Sequence, residues 1–355
     1  MKYPVYEPLV RPYTKSILKA INDGWVSSQG EFIQKTTNLL KNILNTPYLI
    51  LTNNGTSSTH LLYLSLKYKY PNLTRIYVPN YVFAAVWNCA LYEYDSTSIS
   101  VLDTNAETMN MRVDDEYILS LEKGSAIVIV HNIANVVDVP RLKALRPDII
   151  FVEDNCEAFL EKYGDKYTGT ESLCAALSFF GNKIITSGEG GAFYTNDREL
   201  YEYIYKTCHH GMTHDRYIYD VLGRNYRMTN LQAALLYDQL LDIENILELK
   251  VNVYNNYCSL FKNTSVEVKT TGRWMFVIQI PNMKYKDFYD YMMSNGIDTR
   301  PMFYHIHSHN HLRIIDCNSY IENQHEIAMI PSSPTLTYDD QVYIAEKILD
   351  FISTL

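Results

Sequence analysis

No stretch of this chain approaches the run of about 18 apolar residues that a membrane-spanning helix needs, and no C-x-x-C pair occurs among its six cysteines. The second absence leaves neither a zinc ribbon nor a disulfide framework. Cys89, Cys156, Cys174, Cys208, Cys258 and Cys317 are read as scattered reduced thiols. Internal repeats, low-complexity tracts and Gly/Ser linkers are missing too. Positive charge is in short supply: 31 Lys and Arg face 40 Asp and Glu, a net charge of −9. That field repels phosphate backbones and anionic membranes, so neither nucleic acid nor a membrane is an expected partner. Residues 1–13 hold Lys2, Pro4, Glu7, Arg11 and Pro12 without a signal-peptide apolar run, which predicts a cytoplasmic chain.

What is present is a globular composition, 47% hydrophobic and 20% charged over 355 residues. At about 150 residues per domain, this length predicts two domains. Tyrosine is abundant, 31 against 12 Phe and 3 Trp, and is read as coding bias rather than as a special aromatic function.

Apolar spacing predicts helices over residues 16–21 and 32–43. From Tyr48 onward short apolar strands alternate with helical stretches: residues 48–51, 76–78, 99–102, 126–130, 149–152, 177–180 and 192–194. Several are apolar at consecutive positions, as in strands covered on both faces, which predicts an α/β sheet with helices on both sides. A long helical stretch over 231–261 is expected to hold the boundary between a large domain, 1–240, and a small α+β domain, 241–355. The second comprises a strand over 274–280, a helix near 285–294, a strand leading to Arg300 and a closing helix over 338–351.

In an open α/β sheet ligands bind beyond the carboxyl ends of the strands. Three polar segments follow predicted strands. Asn53-Asn54-Gly55-Thr56-Ser57-Ser58 precedes a helical run, where free N–H groups and the helix dipole suit a phosphate; an ordinary N-cap has the same composition. Glu153-Asp154-Asn155-Cys156-Glu157 follows the fifth strand, and acids buried there need a cationic partner, whereas a solvated acidic loop needs none. Ser178 to Lys183 runs into Ser187-Gly188-Glu189-Gly190-Gly191, which sets a lysine beside a flexible turn, although single lysines are commonly solvated. In combination, an anion cradle, a strand-end Asp and a lysine beside glycines are what pyridoxal phosphate requires.

Further segments run in the same order: Gly24-Trp25-Val26-Ser27-Ser28-Gln29-Gly30, Pro79-Asn80-Tyr81-Val82-Phe83, His210-Gly211-Met212, Asn225-Tyr226-Arg227-Met228, and Arg300-Pro301-Met302-Phe303 with His307. Together with the three site segments they resemble, over nearly the whole chain, the nucleotide-sugar aminotransferases of the DegT/StrS type, most of all the perosamine and viosamine synthase branch. The resemblance implies the PLP-dependent aspartate-aminotransferase-like fold (fold type I), with a mixed, mostly parallel sheet and a smaller C-terminal α+β domain. It implies that Lys183 bonds to the cofactor and shuttles a proton, and that Asp154 keeps the pyridine nitrogen protonated. Phe83 would stack on the ring; Gly55, Thr56, Ser57 and Ser178 would bind the phosphate; Glu157 would face the phenolic oxygen. Asn225 would reach the neighbouring subunit's phosphate, implying a homodimer with shared sites. Trp25, Ser28, Arg300 and His307 fall on the substrate side.

The activity so implied passes the amine of L-glutamate, through pyridoxamine 5'-phosphate, to a nucleotide-linked 4-keto-6-deoxy sugar. A viosamine-type product is expected first and GDP-perosamine second. Lys183 argues against the dehydratase members, in which His takes that place. Two departures stand out. Glu157 replaces the Gln of many members, and Glu157 is expected to share a proton with the cofactor's phenol. His131-Asn132-Ile133-Ala134-Asn135 lacks the usual glycine, so no sugar contact is carried over from it. A rival reading rests on His305, His307, His309 and His311, whose alternation on a strand would align four rings for a metal; only His307 fits the resemblance, and no metal is assigned. A catalytically silent scaffold is the third reading, opposed by the intact Lys183 and Asp154.

Overall fold

The computed structural model describes residues 2–317 and 320–355, so Met1, Asn318 and Ser319 lie outside it. All seven predicted strands of the first unit enter one sheet. They are β1 (Tyr48–Thr52), β2 (Ile76–Pro79), β3 (Ile99–Leu102), β4 (Ala126–Val130), β5 (Ile150–Asp154), β8 (Ala175–Ser178) and β9 (Gly191–Thr195), with a small hairpin, β6 (Lys162–Tyr163) and β7 (Lys166–Tyr167), between the last three. Their order is β1-β9-β8-β5-β4-β2-β3. Pairing is antiparallel on both sides of β9 and parallel from β8 to β3. Only β9 is reversed, so the carboxyl ends of β1, β5 and β8 open on one edge. The mixed, mostly parallel sheet is the expected one.

Helices cover both faces because β4 and β8 are buried at every position and cannot face water. Helix α3 (Gly55–Lys69) and α4 (Ala85–Glu93) pack into one core with α7 (Arg198–Cys208). Helices α1 (Lys15–Asn22), α2 (Glu31–Leu44) and α8 (Asn230–Leu241) pack into another. Short helices α5 (Asp115–Ser120) and α6 (Val139–Leu145) complete the cover of that second face.

The long stretch expected over 231–261 is two helices, α8 and α9 (Ile243–Leu260), meeting at Asp242. Apolar spacing does not register the break. It is made by side chains: the Tyr13 hydroxyl donates to Asp242 Oδ2 at 2.6 Å, and Asn245 Nδ2 donates to the same carboxylate at 3.0 Å. Beyond it a four-stranded sheet, β10 (Glu267–Val268), β11 (Phe276–Gln279), β13 (Ile327–Ile330) and β12 (Arg300–Pro301), packs on α9, α10 (Tyr285–Ser294) and α11 (Tyr338–Ile352). Tyr3 belongs to this core and bridges to Ile297, so the chain's first residues lie against the second sheet.

Residues 305–312 are not a strand. They fold as two 3-10 turns, 306–308 and 310–312, so the four histidines do not share a face. His305 stacks on Tyr320 at 4.0 Å, His307 Nε2 bonds the Ile315 carbonyl, His309 packs on Trp87, and His311 Nε2 meets Asn88 Oδ1. The alignment that suggested a metal is therefore absent. Among the described residues no group of three His, Cys, Asp or Glu side chains could hold a metal ion.

Lys250 ties α9 to the chain segments that flank the second sheet. Its amine is buried, donates to the Trp274 carbonyl at 2.8 Å and to the Ser332 carbonyl, and lies 4.9 Å from the Tyr6 ring centroid. Burial pulls its pKa down to about 7, from the 10.5 it has in the unfolded chain. Between those values the unfolded state holds a proton that the folded state lacks, so this group makes stability rise with pH. Lys250→Met is expected to flatten the rise in urea midpoint between pH 7 and pH 9, relative to wild type; an unaltered slope would contradict the buried amine's titration.

Candidate active site

At the edge where β1, β5 and β8 end, a cavity of about 720 Å³ is lined from several segments of the chain, three of which follow strands of the first sheet. The first is the start of α3. Asn54 caps it, its Oδ1 accepting the Ser57 N–H at 2.8 Å, which leaves the Gly55 and Thr56 amides directed outward at the positive end of the helix dipole. Glycine is required at 55 because a Cβ there would sit 2.7 Å from both Cβ and Oγ of Ser178. Gly55, Thr56 and Ser178 thus converge on one small volume, and all three line the cavity.

The second segment is the end of β5. Asp154 is its last residue, buried, with Oδ2 accepting the Thr59 hydroxyl at 2.8 Å and Oδ1 accepting the Cys156 N–H at 3.1 Å. The neighbouring Cys156 thiol is pushed well up by burial and by the Asp154 charge, which keeps it a neutral thiol. Glu157, also buried, is raised to about 7, chiefly by burial. Attraction to Lys183 and the Ile133 N–H at 2.7 Å oppose that rise, while the Asp154 charge adds to it. At neutral pH this carboxyl is divided between its two forms.

The third segment is the turn after β8. The ladder ends at the Ser178–Gly191 pair, two residues before the predicted strand end, and Lys183 N–H closes a turn onto the Phe180 carbonyl at 2.9 Å. The Lys183 amine sits 4.0 Å from the centroid of the Trp274 ring, whose indole N–H donates to the Asn182 carbonyl at 2.9 Å. A cation over an indole face is stabilised by roughly 0.5–2 kcal/mol. Phe83, Phe303 and Arg300 stand at the mouth, with Phe83 60% exposed and meeting Phe303 edge-on.

Eight of the expected site residues therefore line one cavity: Gly55, Thr56, Phe83, Asp154, Glu157, Ser178, Lys183 and Arg300. Five others do not. The Ser57 amide is consumed by Asn54. Asn225 lies in a bridge to His209, its Oδ1 accepting Arg227 Nε. Trp25 lines a separate hollow with Gln29 and Gly30, and its carbonyl accepts Asn230 Nδ2. Ser28 lines neither cavity. The His307 ring is held by the Ile315 carbonyl, outside the cavity.

Residues not foreseen are Thr59, Asn182, Trp274 and the Ile133 amide. Thr59 carried a usable signal, since it follows Gly55 by one helical turn and shares its face. Trp274 and Ile133 carried none, because tertiary folding alone brings them to the site.

The fold has counterparts among known proteins. Residues 11–349 match the model of the DegT/DnrJ/EryC1/StrS aminotransferase family. A GDP-perosamine synthase of Escherichia coli O157:H7 is 32% identical, covering 99% of this chain and all of that one. A GDP-perosamine synthase of Vibrio cholerae is 28% identical over 96% of both chains. Among solved structures, a Helicobacter pylori aminotransferase of pseudoaminic acid biosynthesis superposes with TM-score 0.90 at 20% identity, over the full length of both chains. An E. coli GDP-4-keto-6-deoxy-D-mannose-3-dehydratase with bound hydrated PLP superposes with TM-score 0.88 at 18% identity, over 97% of this chain and 98% of that one.

The Thr59–Asp154 bond offers a direct test of the cradle. Thr59→Val keeps the side chain's shape and removes a donor to a buried carboxylate, a bond worth about 1.5–3 kcal/mol. Affinity for pyridoxal phosphate, measured by absorbance titration of the cofactor-free protein, is expected to fall at least tenfold with the fold retained. An unchanged dissociation constant would remove Thr59 from the site.

Proposed function

This chain belongs to the DegT/DnrJ/EryC1/StrS aminotransferase family, an enzyme with pyridoxal phosphate as cofactor, and we propose that it makes GDP-perosamine from GDP-4-keto-6-deoxy-D-mannose and L-glutamate. The observation that carries the reading is the meeting of the Gly55–Ser178 cradle, Asp154 and Lys183 in one cavity. Viosamine, the product expected first from the sequence, yields to perosamine. The support is the naming of three relatives, the first of them 32% identical over 99% of the chain, as GDP-perosamine synthases.

The residues fit the cofactor. The Gly55 and Thr56 amides and the Ser178 hydroxyl would hold its phosphate, the missing Cβ at 55 letting Ser178 come up against the start of α3. Asp154, held by two donors, would keep a proton on the ring nitrogen, and Phe83 would cover a ring face. Bound there, pyridoxal phosphate supplies a carbonyl carbon that accepts an amine and a ring that stores the electron pair left when a proton departs.

Lys183 is the base that takes that proton and the acid that returns it. It serves in both halves of the cycle, first with glutamate leaving as 2-oxoglutarate and then with the keto sugar receiving nitrogen. Proton transfer of this kind needs a group within reach of the reacting carbon, and Trp274 restricts the amine to one side of the cavity. Arg300 at the mouth would meet an anionic group of either substrate. We further propose a cytoplasmic homodimer in which Asn225 and the exposed segment around Tyr217, Ile218 and Leu222 reach the partner's site.

The purified protein with L-glutamate and GDP-4-keto-6-deoxy-D-mannose is expected to yield GDP-perosamine by NMR, with one 2-oxoglutarate per turnover. Lys183→Ala should lose on the order of 10²–10⁴ in rate, as removal of a general acid–base does. Preference for a UDP- or dTDP-linked 4-keto-6-deoxyglucose would return the viosamine reading, and loss of a sugar hydroxyl without amine transfer would make the protein a dehydratase.

A further inference from the structure

Residues 133 and 134 are both in the left-handed region, Ile133 at φ 49° and Ala134 at φ 62°. Two consecutive non-glycine residues there, one of them β-branched, persist only where the surroundings over-determine them. The surroundings do so. Asn132 Nδ2 donates to the Tyr81 carbonyl at 3.0 Å and the Met109 carbonyl at 2.6 Å. The Thr270 hydroxyl donates to the Ile133 carbonyl at 3.0 Å, and Asn135 Oδ1 accepts the Thr271 N–H at 2.7 Å. Gly272 lies so close that a Cβ there would come within 2.3 Å of the Ala134 Cβ. Both Ile133 and Ala134 are buried.

The outcome of this arrangement is a single polar contact with the cavity: the Ile133 N–H points at Glu157 Oε2, 2.7 Å away. We propose that loop 131–135 is a positioning element of the cofactor site, in which Ile133 fixes the Glu157 carboxyl through its backbone N–H and Thr270 locks Ile133 from the second unit. With Oε2 committed to that donor, Oε1 is the oxygen left to meet a ligand and to carry the exchangeable proton. The other titratable groups facing Glu157 are Lys183 across the cavity and Asp154 on its own strand end. His131, on the loop itself, is turned away and paired with Glu153. The second unit thus acts on the protonation of a group it does not touch. The inference rests on the reading of this cavity as the cofactor site.

The test uses Thr270→Val in the full chain, since Thr270 does not line the cavity. In cofactor-free protein the amides of residues 132–135 are followed by hydrogen exchange, and in loaded protein the cofactor's absorbance is followed against pH. Exchange at the Ile133 amide is expected to quicken severalfold. The absorbance midpoint nearest neutrality should rise by up to about one pH unit, because a weakened N–H donor stabilises the carboxylate less. Thr270→Ser, which keeps the hydroxyl, should behave as wild type, and Glu157→Gln should lose that midpoint. Unchanged exchange and midpoint in Thr270→Val, or an unchanged midpoint in Glu157→Gln, would overturn the proposal. Absence of a borohydride-fixed mass on Lys183 would instead overturn the cofactor-site reading beneath it.

Discussion

Three carboxyl groups are buried within five residues at the end of β5, and most of the surrounding structure answers the need to accommodate them. An isolated buried ion costs several kcal/mol even after relaxation, so each needs its own partners. Glu153 Oε2 accepts His131 Nε2 at 2.9 Å and the Gly169 N–H at 2.7 Å. Asp154 has the Thr59 hydroxyl and the Cys156 amide. Glu157 has the Ile133 amide and the Lys183 charge. Strand alternation sends Glu153 and Asp154 to opposite faces, so the first braces β4 against the hairpin side while the second enters the cavity.

The two carboxyls that reach the cavity are set in different conditions. Asp154 is held by two hydrogen-bond donors, the Thr59 hydroxyl and the Cys156 N–H. Glu157 has one donor and is raised to about 7 by burial, an arrangement suited to gaining and losing a proton. Two acids three residues apart therefore sit in different surroundings. The same economy of partners holds elsewhere: the buried hydroxyls of Tyr63 and Tyr257 each find a backbone carbonyl, at 2.7 and 2.8 Å.

Coupling between the units follows from the same contacts. Lys250 ties α9 to the Trp274 and Ser332 carbonyls, Trp274 covers the Lys183 amine, and Thr270 holds the Ile133 loop. The last two links join the second sheet's side of the molecule to groups at the carboxyl edge of the first sheet, and the first stays within the second sheet's side. A net charge of −9 is no obstacle to an anionic ligand, because the unpaired amides at the start of α3 offer a positive end locally.

The sequence by itself determined the order of strands and helices, the α/β class and the three polar segments that meet at the strand ends. These rest on apolar periodicity and on residue types next to it, which are local properties. Eight expected site residues were legible for that reason. Tertiary structure alone decided the rest: the break at Asp242, the 3-10 turns that scatter the histidines, the indole over Lys183, and the loop that holds Glu157. Thr270 and Ile133 are 137 positions apart, and the Trp274 indole and the Asn182 carbonyl are 92 apart. Contacts at such separation leave no periodic trace in either segment, since each is selected by a partner that only the folded chain brings near.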